Sequence, residues 1–431
     1  MRIFRALQGR NYRLYFGGQS LSSIGLWMQQ VALSWLVYRI THSALTLGIV
    51  SATGQLPAFL LAPIAGVVVD RWDRRRLLMV TQTLAMLQAL GLAWLVLAET
   101  ATLGHILLCS VFLGVVNAVD IPARQALIVD LVDQPENLSN AIALNSAMIN
   151  GARLIGPSLA GLIIATVGEG ICFLLNGLSY LAVLAALWAM RLPSCLNTAL
   201  RTPMLAEAYA GVRYAWGFTP IRAILILVGA VSFLGVPYQV LMPVFATEIL
   251  HGDAHTLGVL TAASGGGALL GTLYMAYRDN VWGLERVLVL STGLFGLGLI
   301  GFSCARQVAV AALALVVTSG GMMVLTAASN TLLQTLVEND KRGRVMSLYT
   351  MAFMGMAPVG SLVAGSVATQ IGVPQTVRLG GVCCLIGACI FALHLPALQA
   401  IVRPIYANMG LMHAATLRMQ TAIDAWLHVH H

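Results

Sequence analysis

Twelve largely apolar stretches, each about 20 residues or more, constrain this 431-residue chain more than any other feature. They fall near 14 to 38, 44 to 69, 77 to 98, 104 to 123, 138 to 165, 169 to 190, 222 to 247, 256 to 277, 286 to 304, 307 to 330, 345 to 369 and 376 to 395. Each is long enough to cross hydrocarbon as a helix. With 58% hydrophobic residues and a mean hydropathy of +0.84, the chain carries more apolar surface than a soluble core of its size can bury. It therefore reads as an all-α integral membrane protein. The formal charge of +8 does not indicate nucleic acid, because the arginines are scattered between apolar stretches and form no basic domain. The first stretch is too long for a signal-peptide core and no small-residue cleavage site follows it. Six of the seven cysteines lie inside apolar stretches, where they act as small packing residues and build no disulfide framework.

Placing the N-terminus in the cytoplasm leaves Arg39, Arg306 and Arg378 outside and Arg153 within the membrane, so 20 of the 24 Lys and Arg are cytoplasmic. That bias orients the chain. The two halves also echo each other. "ALTLGIVSA" from Ala44 and "AHTLGVLTA" from Ala254 share a T-L-G core, and Gly151, Gly156 and Gly161 recur as Gly355, Gly360 and Gly365 at a constant offset of 204. Duplication predicts a six-helix half over 1–190, a cytoplasmic linker over 191–221, a second six-helix half over 222–395 and a cytoplasmic tail over 396–431.

In a chain with only 9% charged residues, "GVVVDRWDRRRLL" puts six charges into the seven positions from Asp70 to Arg76. This loop between predicted helices 2 and 3 resembles the signature of the major facilitator superfamily, with Asp73 where many members have glycine. "WMQQVALSWLVYRITHSALTLGIV", "NAVDIPARQALIVDLV" and "NAIALNSAMINGARLIGPSLAG" are similar to a subgroup of drug and siderophore exporters related to the enterobactin exporter and the macrolide-efflux proteins. The resemblance covers about residues 5 to 395 and implies the two-half, twelve-helix fold. It also implies an inner gate built from Gly66, Asp70, Arg71, Arg74, Arg75, Asp120 and Arg124. In that gate Asp70 would face the start of helix 11, near Val345 to Leu348, and Arg74 would reach Asp120. Without the resemblance the arginines still act as a topological anchor, but Asp70 at a helix C-terminus needs a positive partner. The second half keeps Gly271 and Arg278 but no D-R-x-x-R run, so the latch is expected to be asymmetric.

"GARLIGPSLAG" resembles the helix 5 antiporter motif, with Gly151, Gly156, Pro157 and Gly161 as the expected hinge, and the resemblance favours export. Small residues there serve close helix packing equally well. Arg153 is the one ionisable side chain deep in a predicted helix, and such a charge costs several kcal/mol unless paired or hydrated. It could meet an anionic substrate group, take part in proton-linked gating, or pair structurally with Asn117 or Asn150. Gln19, Ser23, Gln30, Gln55, Asn145, Tyr238, Gln239 and Asn330 are polar candidates for a wet pathway or for inter-helix glue. Met351, Met354 and Met356 read mainly as packing, with an adaptable substrate wall as the other reading. No Asp or Glu is clearly mid-helix, so Asp70 or Asp120, then Glu248, are the proton candidates.

The single lysine, Lys341, sits in "ENDKRGR", so the chain holds no phosphate-binding G-x-x-x-x-G-K-[ST] loop and cannot use ATP itself. No H-E-x-x-H or G-x-S-x-G pattern supports a membrane enzyme, and no added soluble domain supports a sensor. The terminal "AWLHVHH" raises a nickel exporter of the same fold as an alternative, although three histidines are few, and "MHAATLRMQTAIDAWL" fits a surface amphipathic helix. The expectation is a monomeric bacterial inner-membrane transporter without cofactor or metal site, exporting a small amphipathic compound against inward proton flow.

Overall fold

The computed structural model describes residues 2–132, 137–190, 212–278, 281–338 and 341–408, without the side chains of a few, Asp70 among them. Six long helices form the first half: α1 (Arg10–Thr41), α2 (Ala44–Arg71), α3 (Arg74–Leu97), α4 (Leu103–Asp130), α5 (Leu138–Val167) and α6 (Glu169–Ala189). The second half comprises α7 (Thr219–Leu234), α8 (Tyr238–Val244), α9 (Ala254–Tyr277), α10 (Leu284–Cys304), α11 (Val308–Leu336), α12 (Arg342–Thr350), α13 (Met356–Ile371) and α14 (Val373–Asn408). Helices α7 and α8 together make one membrane crossing, and so do α12 and α13.

Among the described residues eleven crossings are long and apolar enough to span a bilayer by length and composition; α1, 32 residues long, is not among them. Its polar residues lower its hydropathy, yet Gln19, Ser22, Ser23 and Gln29 are buried against the bundle, so they cost nothing in contact with lipid. Local chemistry fixes the turns. Ser43, Asp73, Thr102 and Asp253 each accept a hydrogen bond from the backbone N–H three residues on and so cap α2, α3, α4 and α9. Gly168 and Gly372, with φ of 88° and 85°, make the sharp α5–α6 and α13–α14 turns and extend the 204-residue repeat by one more glycine pair.

Within the first half, α1 packs on α5 and α6, α3 on α4 and α6, and α2 on α4; the second half repeats these pairings. Among the described residues the two most extensive contacts between the halves are α5 on α9 and α2 on α13, and they are equivalents under the duplication.

Three expectations need correction. The stretches at 222 to 247 and 345 to 369 are not single helices. Gly235 and Pro237 break the first, and a wide π turn at Met351–Gly355 interrupts the second, just before Pro358, whose missing N–H leaves the Met354 carbonyl without a helical donor. Helix α4 runs to Asp130 and α14 to Asn408, well past the predicted ends, because hydropathy falls at the first charges while the helix continues. Residues 396–408 continue α14. Most of the linker and the histidine-bearing C-terminus lie outside the described residues.

Candidate functional site

The end of the bundle carrying the α1–α2 turn, the Ser43 end, is sealed by backbone. A Cβ on Gly258 of α9 would lie 2.7 Å from Gly161 Cα and 2.8 Å from the Pro157 carbonyl oxygen of α5. On the equivalent crossing, a Cβ on Gly48 of α2 would lie 2.5 Å from the Ser361 carbonyl oxygen, and one on Gly365 of α13 would lie 2.8 Å from that of Ala44. Glycine is needed at these positions because any side chain would push the halves apart. The Tyr38 hydroxyl of α1 adds a 2.6 Å hydrogen bond to the Glu248 carboxylate across the same junction. Gly156 instead packs α5 on α1, with a Cβ there 2.6 Å from Trp27 Cβ.

The opposite end, carrying the α2–α3 turn, differs. Gly66 there, and Gly151 near the middle of α5, have nothing within 4 Å of where a Cβ would lie, so neither of these predicted motif glycines serves a close contact. In the charged patch, Asp73 caps α3, and Arg75 donates from Nε to the Leu187 carbonyl at 2.6 Å and from Nη2 to that of Trp188 at 2.8 Å. A cation there offsets the negative end of α6. Arg71 is exposed. Arg74 does not reach Asp120: it pairs with Asp130 at 2.7 Å, and Asp120 pairs with Arg124 one turn along its own helix. The reason is the length of α4, which carries Asp130 to the membrane edge beside Arg74 and leaves Asp120 inside the bundle. Asp120 is buried there, accepting from Thr81 Oγ1 at 2.8 Å and Gln82 Nε2 at 2.7 Å. The expected contact of Asp70 with the start of helix 11 involves a side chain outside the described set.

Midway along the helices, residues from both halves converge. Arg153 stands at the centre of α5 with its guanidinium 5.3 Å from the Trp27 ring of α1. Neither Asn117 nor Asn150 partners it: Asn150 bonds to the Ser146 carbonyl of its own helix, and among the described residues Arg153 has no hydrogen bond or ion pair. Pro157 has no N–H to offer the Arg153 carbonyl, and α9 closes on that oxygen so tightly that a Cβ on Gly265 would lie 2.5 Å from it. Next to Gly265, Ser264 bonds Ser319 of α11 at 2.6 Å, and the Tyr238 hydroxyl meets Ser319 at 3.0 Å and Ser264 at 3.3 Å. Tyr238 begins α8 directly after the Gly235–Pro237 break, which the Phe295 ring packs against. Gln239 approaches the same hydroxyl at 3.5 Å.

The other polar candidates do not join this cluster. Gln55 is exposed and bonds to Ser51 on its own helix, and Asn330 accepts from Gln334. Gln19 and Ser23 are buried on α1, Gln30 is exposed, and Asn145 Oδ1 is buried without a partner. Met351 and Met354 are more than half exposed, at 54% each, so the protein's own side chains do not enclose them. Sequence reasoning missed Trp27, Ser264 and Ser319, and it missed a buried Gln29–Gln88–Asn176 chain tying α1, α3 and α6. The adjacent polar pair Gln29 and Gln30 offered a signal, but not which of the two faces inward.

A model of the family described as transmembrane secretion effectors matches residues 4–417. The chain belongs to this family of major facilitator superfamily transporters. The transporter is 28% identical over 378 residues to the staphyloferrin A transporter of Staphylococcus aureus, covering 86% of this chain and 92% of that protein. It is 26% identical over 383 residues to the multidrug efflux pump Tap of Mycobacterium tuberculosis (86% and 89%), and 22% identical over 389 residues to macrolide efflux protein A of Streptococcus pyogenes (86% and 93%). In fold it is similar to a bacterial homologue of the lysosomal transporter Spinster in an inward-facing, unoccupied conformation, with a TM-score of 0.69, 14% identity, and 89% of this chain and 96% of that one covered. A bacterial ferroportin homologue in an inward-facing state gives 0.69 and 18%, with 89% and 98% covered. The transporter is thus a multi-pass membrane protein that moves small molecules, not an enzyme.

Proposed function

We propose that the protein exports a small amphipathic compound of the drug or siderophore class across a bacterial inner membrane, by proton antiport and alternating access. One observation carries this reading: the two pseudo-symmetric crossings are sealed by backbone contacts at the Ser43 end, while Gly66, near the other end of α2, has nothing within 4 Å of where a Cβ would lie. Arginine bias assigns the Ser43 end to the outside, so the conformer reads as inward-open, ready to load from the cytoplasm. Asp70, Arg71, Arg74 and Arg75, together with the Asp120–Arg124 pair, would close the inner end in the opposite conformer. Pro157, which frees a carbonyl at the centre of α5, would let that helix flex, with Gly156 and Gly161 as its sliding contacts. Asp70 or Asp120 is the first choice for proton carrier, and Glu248, held by Tyr38 across the outer junction, the second.

Everted membrane vesicles test the reading. An imposed proton gradient is followed by fluorescence while macrolides, other lipophilic drugs and siderophores are added in turn. Dequenching evoked by one class in the wild type, and absent in Asp70→Asn vesicles holding equal amounts of protein, is the expected result. Gradients that no addition disturbs would refute proton-coupled export of these classes.

A further inference from the structure

The mid-membrane cluster combines three features. A guanidinium lies at the junction of the halves with no anion to pair with, a Trp27 face lies against it, and three hydroxyl-bearing side chains, Tyr238, Ser264 and Ser319, stand on the facing half. Ser264 immediately precedes Gly265, where a Cβ would lie 2.5 Å from the Arg153 carbonyl oxygen. A helix interrupted at mid-depth, as the α7–α8 crossing is at Gly235–Pro237, marks the position where many transporters bind substrate. Water or a neutral solute would leave the arginine without its counter-charge.

We propose that this cluster is an organic-anion site, and that the transported substrate carries a carboxylate or equivalent acidic group that pairs with Arg153 while its apolar part lies on Trp27. The assignment rests on the transporter reading above and narrows it to acidic amphipathic compounds. Arginine suits the task because it stays charged in low dielectric and binds a carboxylate through two parallel N–H bonds. The substrate would also bridge the halves at the level where they must rock, since Arg153 and Trp27 belong to one half and the hydroxyl trio to the other. Loading would thereby couple to the conformational change.

Isothermal titration calorimetry on the purified full chain, with 2-naphthoate, 2-naphthylmethanol and 2-naphthylmethylammonium as matched probes, tests the assignment. The wild type is expected to bind naphthoate about tenfold more tightly than either of the others, roughly the worth of one charge-assisted contact. Arg153→Gln should erase that preference, and Arg153→Lys should keep part of it. Trp27→Leu, which leaves the charge in place and so guards against a misfolded arginine variant, should weaken naphthoate at least about fivefold. Equal binding of the three probes by the wild type, or an undiminished preference in Arg153→Gln, would overturn the proposal. Anion binding without vesicle export would remove the export reading and leave this one, and export without anion preference would do the reverse.

Discussion

At the residue scale, the Asp120–Arg124 pair has the most to lose from substitution. Asp120 is buried and takes bonds from three side chains, so Asp120→Asn leaves Arg124 beside a neutral group in a site built for opposite charges. Removing one member of a buried pair costs on the order of 3 kcal/mol, whereas removing both costs far less. Thermal unfolding in detergent should therefore show a large drop for Asp120→Asn and a substantial recovery in the double variant with Arg124→Gln; simple addition of the two losses would contradict the pairing. Asp253 behaves differently. The Thr256 backbone N–H bond holds its carboxyl below the ordinary value of 3.8, so the charged cap contributes fully above that value and is lost as pH falls through the lower, folded-state value. Asp253→Ala should cost about 1 kcal/mol at neutral pH and progressively less in acid. Neither partner set was fully legible in the sequence. The Ser-x-x-Thr and Asp-x-x-Thr caps follow from local chemistry, but Asp120 looked like a helix end because hydropathy fades at "DIPARQ" while the helix continues for ten more residues.

At the element scale, the glycine crossings hold the two halves together at the Ser43 end. Gly258→Ala puts a methyl group 2.7 Å from Gly161 Cα, closer than real contacts allow, and only parting α5 from α9 relieves it. The expected outcome is a population shift toward an opened Ser43 end. Spin labels placed on Ser43 and His255, in a background without native cysteines, should report a larger fraction of long distances in pulsed electron resonance. An unchanged distribution would mean that the seam does not hold the gate. The offset of 204 was visible in the chain and pointed to duplication, but that Gly161 and Gly365 sit at helix crossings depends on which helices meet. The breaks at Gly235–Pro237 and at the π turn of Met351–Gly355 were not legible, since both leave the run of apolar residues unbroken and depend on where proline meets a packed neighbour.

Across the whole molecule, duplication yields equivalent packing in the two halves but unequal chemistry. The acidic and basic groups of the charged patch lie in one half, and the hydroxyl trio and the broken crossing lie in the other. Arg75→Ala illustrates the first asymmetry: it frees the α6 carbonyls of Leu187 and Trp188 and loosens α3 from α6. It should lower stability by about 1 kcal/mol and slow vesicle flux, while Arg286→Ala on the equivalent helix α10 should alter flux little. Equal effects would argue for a symmetric gate. The overall fold was readable because membrane spans, charge bias and repeat each leave a linear trace. The central cluster was only half readable, because what draws Trp27, Arg153 and Tyr238 together is the approach of helices distant in sequence.

The backbone seam at the Ser43 end has an electrical consequence. Where Gly161 and Gly258 touch, the atoms nearest to each glycine on the facing helix are all backbone atoms. Protons hop along hydrogen-bonded wires, and here the wire is cut. A seam of this kind would let many copies sit in a membrane at rest without a leak current through that contact.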